Sequence, residues 1–329
     1  MTSTIGGLPG EEAAGHKAST KAVVVTGDER KTVRKRLLAA FGELWGDKLA
    51  LLGATFLLIV LISAIFASLV APHDPTALSL PDRLTPPAWT DGGNWSNVFG
   101  TDSLGRDVLS RMIYGSRTTL QIGFFVVLFA GTFGVTMGLI AGYFGGRVDA
   151  TVMRFIDTQF AFPGLLLAIT IISVIGASKR GLIIVLSIGA WMIFARVSRA
   201  SALSIKESAY IEAAETLGCK PSRVIIRHIL PNMVSPLLTL AVLEFAIIVL
   251  AEASLSFLGL GIQPPGMSLG LDVANGRQYI LTSWWLVTIP GIAVSLIVLS
   301  SNLIAGWLRV VADPQERDKR FATTQVGSL

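Results

Sequence analysis

Long stretches of apolar residues alternate with polar segments along the whole chain. Six such stretches occur; five carry no charge, and one contains a single acid, Glu244. An α-helix rises ~1.5 Å per residue, so about 20 apolar residues cross the ~30 Å hydrocarbon core of a bilayer. The pattern therefore predicts an all-α, polytopic membrane protein with six transmembrane helices. The predicted spans are 49–72, 118–146, 158–178, 181–195, 233–251 and 280–308.

The composition agrees with a membrane protein. The chain has 329 residues, of which 52% are hydrophobic and only 15% are charged, against about 25% charged in soluble domains. The single cysteine, Cys219, excludes an internal disulfide. The three histidines, His16, His73 and His228, are too far apart in sequence to suggest a metal site, and no metal is expected. The N-terminal segment lacks the apolar core of a cleavable signal peptide.

The distribution of basic residues predicts the orientation. With the N-terminus inside, the inner segments carry 20 Lys and Arg residues and the outer loops carry 7. Membrane proteins keep their Lys and Arg excess on the cytoplasmic side. Both termini and the 196–232 loop are therefore predicted to be cytoplasmic. We read the net charge of +5 as a topology signal, so no nucleic-acid partner is expected.

The chain divides into four predicted regions. Residues 1–28 are polar and without periodicity, which predicts a disordered tail. Residues 29–48 place apolar side chains at helical spacing beside a basic run, which favours an amphipathic helix on the inner leaflet, with a solvated basic tail as the alternative. Residues 49–312 form the transmembrane domain, and residues 313–329 form a cytoplasmic tail.

The polar loop between the fourth and fifth spans carries the most specific local pattern. Good helix formers over 207–217 predict a short helix that ends at a left-handed Gly218. Pro221 suits the first turn of a second helix, which Pro231 is predicted to end. Tyr210, Ala213, Ala214 and Leu217 fall on one helix face. That face either docks on another protein or packs on the chain's own helix ends.

This loop resembles the EAA motif of permease subunits of ABC importers. The matching positions are Glu212, Ala213, Ala214, Gly218, Leu230 and Pro231. The sequence departs from the common pattern at His228, where many families have isoleucine. The run His-Ile-Leu-Pro-Asn over 228–232 resembles the run found in the peptide-importer branch of the family. His228 therefore points to that branch and does not weaken the resemblance.

Three further stretches resemble the same branch. Residues 100–111 read GTDSLGRDVLSR, residues 161–166 read AFPGLL, and residues 251–261 read AEASLSFLGLG. Together they are similar to the second, C-type permease of dipeptide and oligopeptide importers. The resemblance covers roughly residues 35–315.

The resemblance implies a type I importer with the MetI-like permease fold in a bacterial or archaeal inner membrane. The implied partners are a homologous second permease, two ATPases that bind ATP and Mg²⁺, an extracytoplasmic binding protein, and a di- or oligopeptide substrate. The polar loop would be the coupling helix, with Glu212 placed to meet a basic residue of an ATPase. No Walker A motif, protease motif or esterase motif occurs, so no catalysis and no cofactor are expected in this chain.

Other functions stay open at this point. Permeases for nickel, opine-like compounds and other small solutes share these signatures. An ion-coupled secondary transporter using Asp157 and Glu244 as proton sites is a different class, and a membrane-bound scaffold is a third.

Three acids in or beside the predicted spans are candidates to line a pathway: Asp157, Glu244 and Glu252. A charge at mid-bilayer costs about 2.5–3.5 kcal/mol, so each is expected to face protein or water. Glu244 is the foremost candidate to line the pathway, and its carboxylate could meet the amino terminus of a peptide there. A buried hydrogen bond to a neighbouring helix is the alternative for Glu244.

Three other features predict local structure. Asp102 or Ser103 could cap an external amphipathic helix over 103–115, lying on the outer surface of the membrane. Gly134, Gly138 and Gly142 recur every four residues and predict close helix packing, within the chain as the favoured interpretation and between chains as the alternative. Pro163-Gly164 and Pro290-Gly291 are expected to interrupt the third and sixth spans, as hinges or as tolerated kinks.

Overall fold

The computed structural model describes Trp45 and residues 47–312. The predicted tails 1–28 and 313–329, and the predicted amphipathic helix 29–48 except Trp45, Asp47 and Lys48, lie outside the described residues. Within the described part the regular structure is helical. The α-helices are α1 (Lys48–Ile65), α2 (Ala67–Val70), α3 (Val108–Phe144), α4 (Gly146–Phe160), α5 (Gly164–Ile175), α6 (Lys179–Lys206), α7 (Ala209–Thr216), α8 (Pro221–Val224), α9 (Leu230–Phe257), α10 (Leu269–Gly276) and α11 (Trp285–Ala312).

The described helices confirm a polytopic membrane protein. Five segments are long and apolar enough to cross a bilayer, and the bent pair α4–α5 would make a sixth. The five are α1, α3, α6, α11 and the continuous stretch from α8 through α9. The sequence prediction of an all-α bundle is therefore correct, although the bounds of several spans differ from those predicted.

The third predicted span is not a straight helix. α4 ends at Phe160, and α5 begins at Gly164 at an angle of 87° to it. Pro163 lies at the bend, since its ring prevents a helix from continuing unbroken through the turn before it. α5 has only 12 residues, about 18 Å at the helical rise. The predicted interruption at Pro163-Gly164 is thus confirmed, and it separates two helices at a sharp angle.

The fourth span is longer than its apolar stretch. α6 covers 28 residues, not only 181–195, and so contains Arg196 and Arg199. Arg196 lies 2.5 Å from Asp157, and Arg199 forms an ion pair with Asp149. Both acids belong to α4. These pairs join α6 to α4 beyond the apolar stretch, a contact that the apolar stretch alone could not indicate.

Pro231 does not end the second helix of the polar loop. A π-helical segment, Ile225–Ile229, follows α8 and leads directly into α9, where Pro231 lies in the first turn. The first turn tolerates proline because its N–H groups have no intrahelical partner. The prediction of a helix stop at Pro231 is wrong. Pro290 likewise lies inside the continuous helix α11 and does not break it.

The predicted external helix over 103–115 is also wrong. Asp102 caps a tight turn, in which its carboxylate accepts hydrogen bonds from the backbone N–H groups of Leu104 and Arg106. The helix begins only at Val108, with Asp107 as its N-cap, and continues as the span α3. The residues after the turn therefore belong to a long helix and not to a separate one.

The closest helix packing is the seam between α3 and α6. A Cβ at Gly134 would lie 2.3 Å from the carbonyl oxygen of Trp191, and one at Gly138 would lie 2.3 Å from that of Ala195. Neither position leaves room for a methyl group. At Gly142 a Cβ would come within 2.8 Å of that of Ala202. The glycine pattern thus serves packing within the chain, as the sequence predicts.

Candidate coupling and pathway site

α7 lies at the end of the bundle where α3 and α6 terminate. Its one buried residue is Ile211, which is fully buried against Leu139, Tyr143 and Ala202. The opposite face is open: Tyr210 is 49% exposed and Leu217 is 85% exposed. Glu212 and Ala213 are also exposed, and Ala214 is half-buried. One residue therefore anchors the helix while the predicted docking face remains largely uncovered.

Gly218 ends α7 in the conformation that the sequence predicts. Its φ is +78°, in the left-handed region that favours glycine. The N–H of Cys219 donates to the carbonyl oxygen of Ala214, and the N–H of Gly218 donates to that of Glu215. This bond pair is the Schellman arrangement that closes helix C-termini. A Cβ at Gly218 would meet nothing within 4 Å, so the requirement for glycine is conformational.

The second half of the motif lies beneath the first. Ile229 and Met233 are fully buried in the cluster that holds Ile211, and Leu230 packs against that cluster. Pro231 is exposed in the first turn of α9. One apolar cluster thus contacts both parts of the motif, the α7 part and the part at the start of α9. Leu230 packs against this cluster, and Pro231 lies at the surface.

Polar contacts around α7 involve residues that the sequence did not single out for this role. The Tyr143 hydroxyl donates to Glu215 Oε1 at 2.9 Å. Lys206 Nζ donates to the Tyr143 carbonyl oxygen at 2.7 Å and lies 5.2 Å from the centre of its ring. Asn232 Nδ2 donates to the Tyr210 hydroxyl at 3.2 Å. Tyr143 and Glu215 are far apart in sequence, so no local pattern signals their pairing.

Glu252 lies in a fully enclosed polar cluster. Its carboxylate accepts hydrogen bonds from the hydroxyls of Ser256 and Ser268, each at 2.8 Å, and a weaker one from Thr119 at 3.4 Å. Its side chain is fully buried. These bonds join α3, α9 and the segment before α10. The arrangement favours a structural role for Glu252 rather than the pathway lining predicted for it.

Glu244, eight residues earlier on α9, has a different environment. It is 3% exposed, and no side chain or backbone group among residues 47–312 forms a hydrogen bond or ion pair with its carboxylate. A buried acid without such a partner is unusual, because leaving a charged group unpaired is costly. The predicted alternative, a hydrogen bond to a neighbouring helix, is not seen in the described residues.

Asp157 is the most accessible of the three candidate acids. Its side chain is 66% exposed, and it pairs with Arg196 at 2.5 Å. The Arg196 guanidinium also lies 4.3 Å from the centre of the Phe160 ring. Asp157 thus helps to hold α4 against α6. The three acids are not brought together in one place: Asp157 is on α4, whereas Glu244 and Glu252 are on α9.

A charged cluster lies at the opposite end of α3. Arg111 Nη2 lies 2.5 Å from Asp272 Oδ1, and Arg106 lies 2.6 Å from Asp102. Burial raises the pKa of the Asp272 carboxyl, and the charge of Arg111 opposes that rise. These groups line a cavity of about 270 Å³ together with Asn275, Tyr279 and Pro290, among others. No three His, Cys, Asp or Glu side chains within the described chain are grouped as metal ligands.

Comparison with known proteins identifies the family. The model for the inner membrane component of binding-protein-dependent transport systems matches residues 134–317. The model for the N-terminal transmembrane domain of oligopeptide transport permease C matches residues 39–87.

Curated relatives match over most of their length. The dipeptide transport system permease DppC of Alkalihalophilus pseudofirmus is 39% identical over 276 residues, which is 84% of this chain and 89% of that protein. DppC of Haemophilus influenzae is 38% identical and covers 81% of this chain and 90% of its own. DppC of Escherichia coli is 40% identical, and the match covers 82% of this chain and 90% of that protein.

The helices of the chain also resemble those of a solved transporter structure. An inward-facing structure of the MetNI methionine ABC transporter superimposes with a TM-score of 0.48 at 21% identity, over 62% of this chain and 97% of that one.

The family models and the curated relatives together show that the chain belongs to the inner membrane permeases of binding-protein-dependent ABC importers, in their C-type branch.

Proposed function

We propose that this chain is one half of the translocation pathway of an ATP-driven importer of di- or oligopeptides. The single observation that carries the coupling part of the proposal is the open face of α7, where Leu217 is 85% exposed while Ile211 anchors the helix. The relatives, which are named as dipeptide permeases, support the substrate class. The other half would be a homologous second permease, and the motor would be two ATPases.

Each residue of the coupling loop has a distinct role in this proposal. Tyr210, Ala213 and Leu217 supply apolar contact to a groove on an ATPase, and the small side chain of Ala214 permits close approach. Glu212, exposed on the same helix, would meet a basic residue of that partner. Gly218 provides the sharp turn, whereas Leu230 and Pro231 support the helix from α9. ATP and Mg²⁺ would be bound by the ATPases alone.

The orientation follows from the same assignment. An ATPase works in the cytoplasm, so the α7 end of the bundle would face inward in a bacterial or archaeal inner membrane, with both termini inside. The Lys and Arg bias of the sequence supports this orientation. The Arg111–Asp272 end would then face the extracytoplasmic binding protein. The chain contacts lipid elsewhere along its exposed apolar helices.

Glu244 is proposed as a pathway residue. It is buried within α9, and no group among residues 47–312 is bonded to its carboxylate, which leaves that carboxylate available to a positively charged group. A peptide amino terminus is such a group. Asp157 remains a second candidate because of its exposure, and Glu252 a weaker one because its carboxylate accepts bonds from three hydroxyls.

Reconstitution tests the proposal directly. The chain would be assembled in liposomes with its partner permease, ATPases and binding protein, and uptake of labelled dialanine and of labelled nickel would be followed with and without ATP. We expect ATP-dependent uptake of dialanine. Uptake of nickel or another small solute alone would contradict the peptide assignment. Uptake driven by a proton gradient without ATP would favour an ion-coupled transporter, and no uptake at all a scaffold.

A further inference from the structure

Tyr143 connects three helices at the α7 end of the bundle. It lies in the last turn of α3 and is 7% exposed. Its backbone carbonyl accepts the hydrogen bond from Lys206, the last residue of α6, and its hydroxyl donates to Glu215 near the end of α7. The end of the span is therefore in direct contact with the coupling helix and with the helix that precedes it.

α7 has few other attachments. Among the described residues, its side chains form hydrogen bonds to other helices at two places only, Glu215 with Tyr143 and Tyr210 with Asn232. These two bonds lie at opposite ends of α7 and lead to different spans, α3 and α9. Between them, Ile211 is the one buried side chain of the helix. Besides its covalent connections to α6 and α8, α7 thus has few side-chain routes by which its movement reaches the bundle.

The route through Tyr143 leads into its most tightly packed part. α3 is one unbroken helix of 37 residues, and its Gly134 and Gly138 lie against the backbone of α6 without space for a methyl group. Closely packed helices move as rigid bodies because interiors do not deform continuously. A displacement applied at Tyr143 would therefore be carried along α3 and α6 together.

We infer that the Tyr143–Glu215 hydrogen bond is a positioning contact that transmits movement of α7 to α3. The inference deepens the proposed function and rests on it, since it requires that α7 docks on an ATPase. Tyr143 itself is nearly buried and lies off the open face of α7, so its hydroxyl can affect transmission without altering the docking surface.

The variant Tyr143→Phe removes the hydroxyl and keeps the ring. In the assembled importer we expect about three- to tenfold less dialanine taken up per ATP hydrolysed, the range for losing one hydrogen bond of ordinary net strength. Binding of the ATPases and the rate of ATP hydrolysis should stay within about twofold of the unmodified protein. Tyr114→Phe, the same change at the other end of α3, is the matched control, because no group in the described chain is hydrogen-bonded to its hydroxyl.

Glu215 supplies the reciprocal test. Glu215→Gln keeps an oxygen that can accept the Tyr143 hydrogen bond and should retain most of the uptake per ATP. Glu215→Ala removes the acceptor and should match Tyr143→Phe. The double variant Tyr143→Phe, Glu215→Ala should lose no more than either single variant, because both changes remove the same contact.

The outcomes separate this inference from the proposed function. Absence of ATP-dependent dialanine uptake by the unmodified complex rejects both. Normal uptake per ATP in Tyr143→Phe, or a Glu215→Gln variant as impaired as Glu215→Ala, overturns the inference alone. Failure of both Tyr143→Phe and Glu215→Ala to assemble also overturns it, because the bond would then serve only to stabilise the fold.

Discussion

The seam between α3 and α6 and the open face of α7 are opposite kinds of surface at neighbouring places. In the seam, Gly134 and Gly138 bring two helices into backbone contact with no free volume. On α7, a single side chain, Ile211, is buried, and Leu217 is almost fully exposed. The difference shows where the chain is built to stay rigid and where it is left to receive a partner.

Helix α9 repeats this contrast with two acids. Glu252 accepts hydrogen bonds from three hydroxyl groups of its own helix and its neighbours, whereas Glu244 has no hydrogen-bond partner within residues 47–312. A fully buried carboxylate held by three hydroxyl groups stabilises the bundle and is enclosed away from a passing substrate. An unbonded one stabilises nothing and remains available for binding. Burial alone therefore does not distinguish a structural acid from a functional one.

The largest expected effect is on the seam. Gly138→Ala places a methyl group 2.3 Å from the Ala195 carbonyl oxygen, and such overpacking costs about 1–3 kcal/mol. Gly131→Ala on the same helix meets nothing closer than 3.6 Å and should be neutral or slightly stabilising, because alanine favours helix. Thermal unfolding in detergent measures both. Equal melting temperatures for the two variants would mean that the seam is not tightly packed.

Variants on the open face of α7 should behave in the opposite way to the seam variant: they should lose coupling to the ATPase and keep their stability. Leu217→Asp puts a charge where an apolar contact with an ATPase is proposed, and we expect at least about tenfold weaker ATPase capture, or about 1.4 kcal/mol. Its melting temperature should not change, since Leu217 is 85% exposed. The matched control is Leu281→Asp, because Leu281 is 98% exposed outside the loop. Normal capture by Leu217→Asp would contradict docking through this face.

The two acids of α9 provide the next comparison. Glu252→Ala leaves the hydroxyls of Ser256 and Ser268 without their acceptor, at a cost of about 1–3 kcal/mol in unfolding free energy. Glu244→Gln keeps the size of the buried side chain and breaks no hydrogen bond of the described chain, so it should destabilise less than Glu252→Ala, but it should lower peptide uptake about threefold, a magnitude typical of one weak polar contact. Melting temperature and uptake should therefore separate the two. Full uptake of every peptide by Glu244→Gln would reject the pathway role.

A small loss of stability is expected at Gly218. A side chain has space there, so Gly218→Ala carries only the cost of the left-handed conformation, about 1 kcal/mol. Gly218→Asn should cost less, because asparagine tolerates that conformation better than alanine. Uptake by the alanine variant should fall below that of the asparagine variant. The reverse order would show that side-chain size at the docking face, and not backbone conformation, limits coupling.

Local signals in the sequence determined much of this protein. Long uncharged runs predict the spans because lipid excludes charge whatever the rest of the chain does. Gly218 predicts its own turn because a left-handed residue is a local requirement. The spacing of Gly134 and Gly138 predicts a packed helix face, because residues i and i+4 always lie on the same side of a helix. Each of these is decided within a few residues of sequence.

Only the tertiary structure decided the contacts that depend on partners distant in sequence. Arg196 and Arg199 of α6 pair with Asp157 and Asp149 because α4 lies beside α6 in the fold. The bond between Tyr143 and Glu215 exists because the ends of α3 and α7 meet in space. Ser268 encloses Glu252 because the segment before α10 returns to α9. A hydrogen bond needs a partner within about 3 Å, and a single sequence does not reveal which residues the fold brings that close.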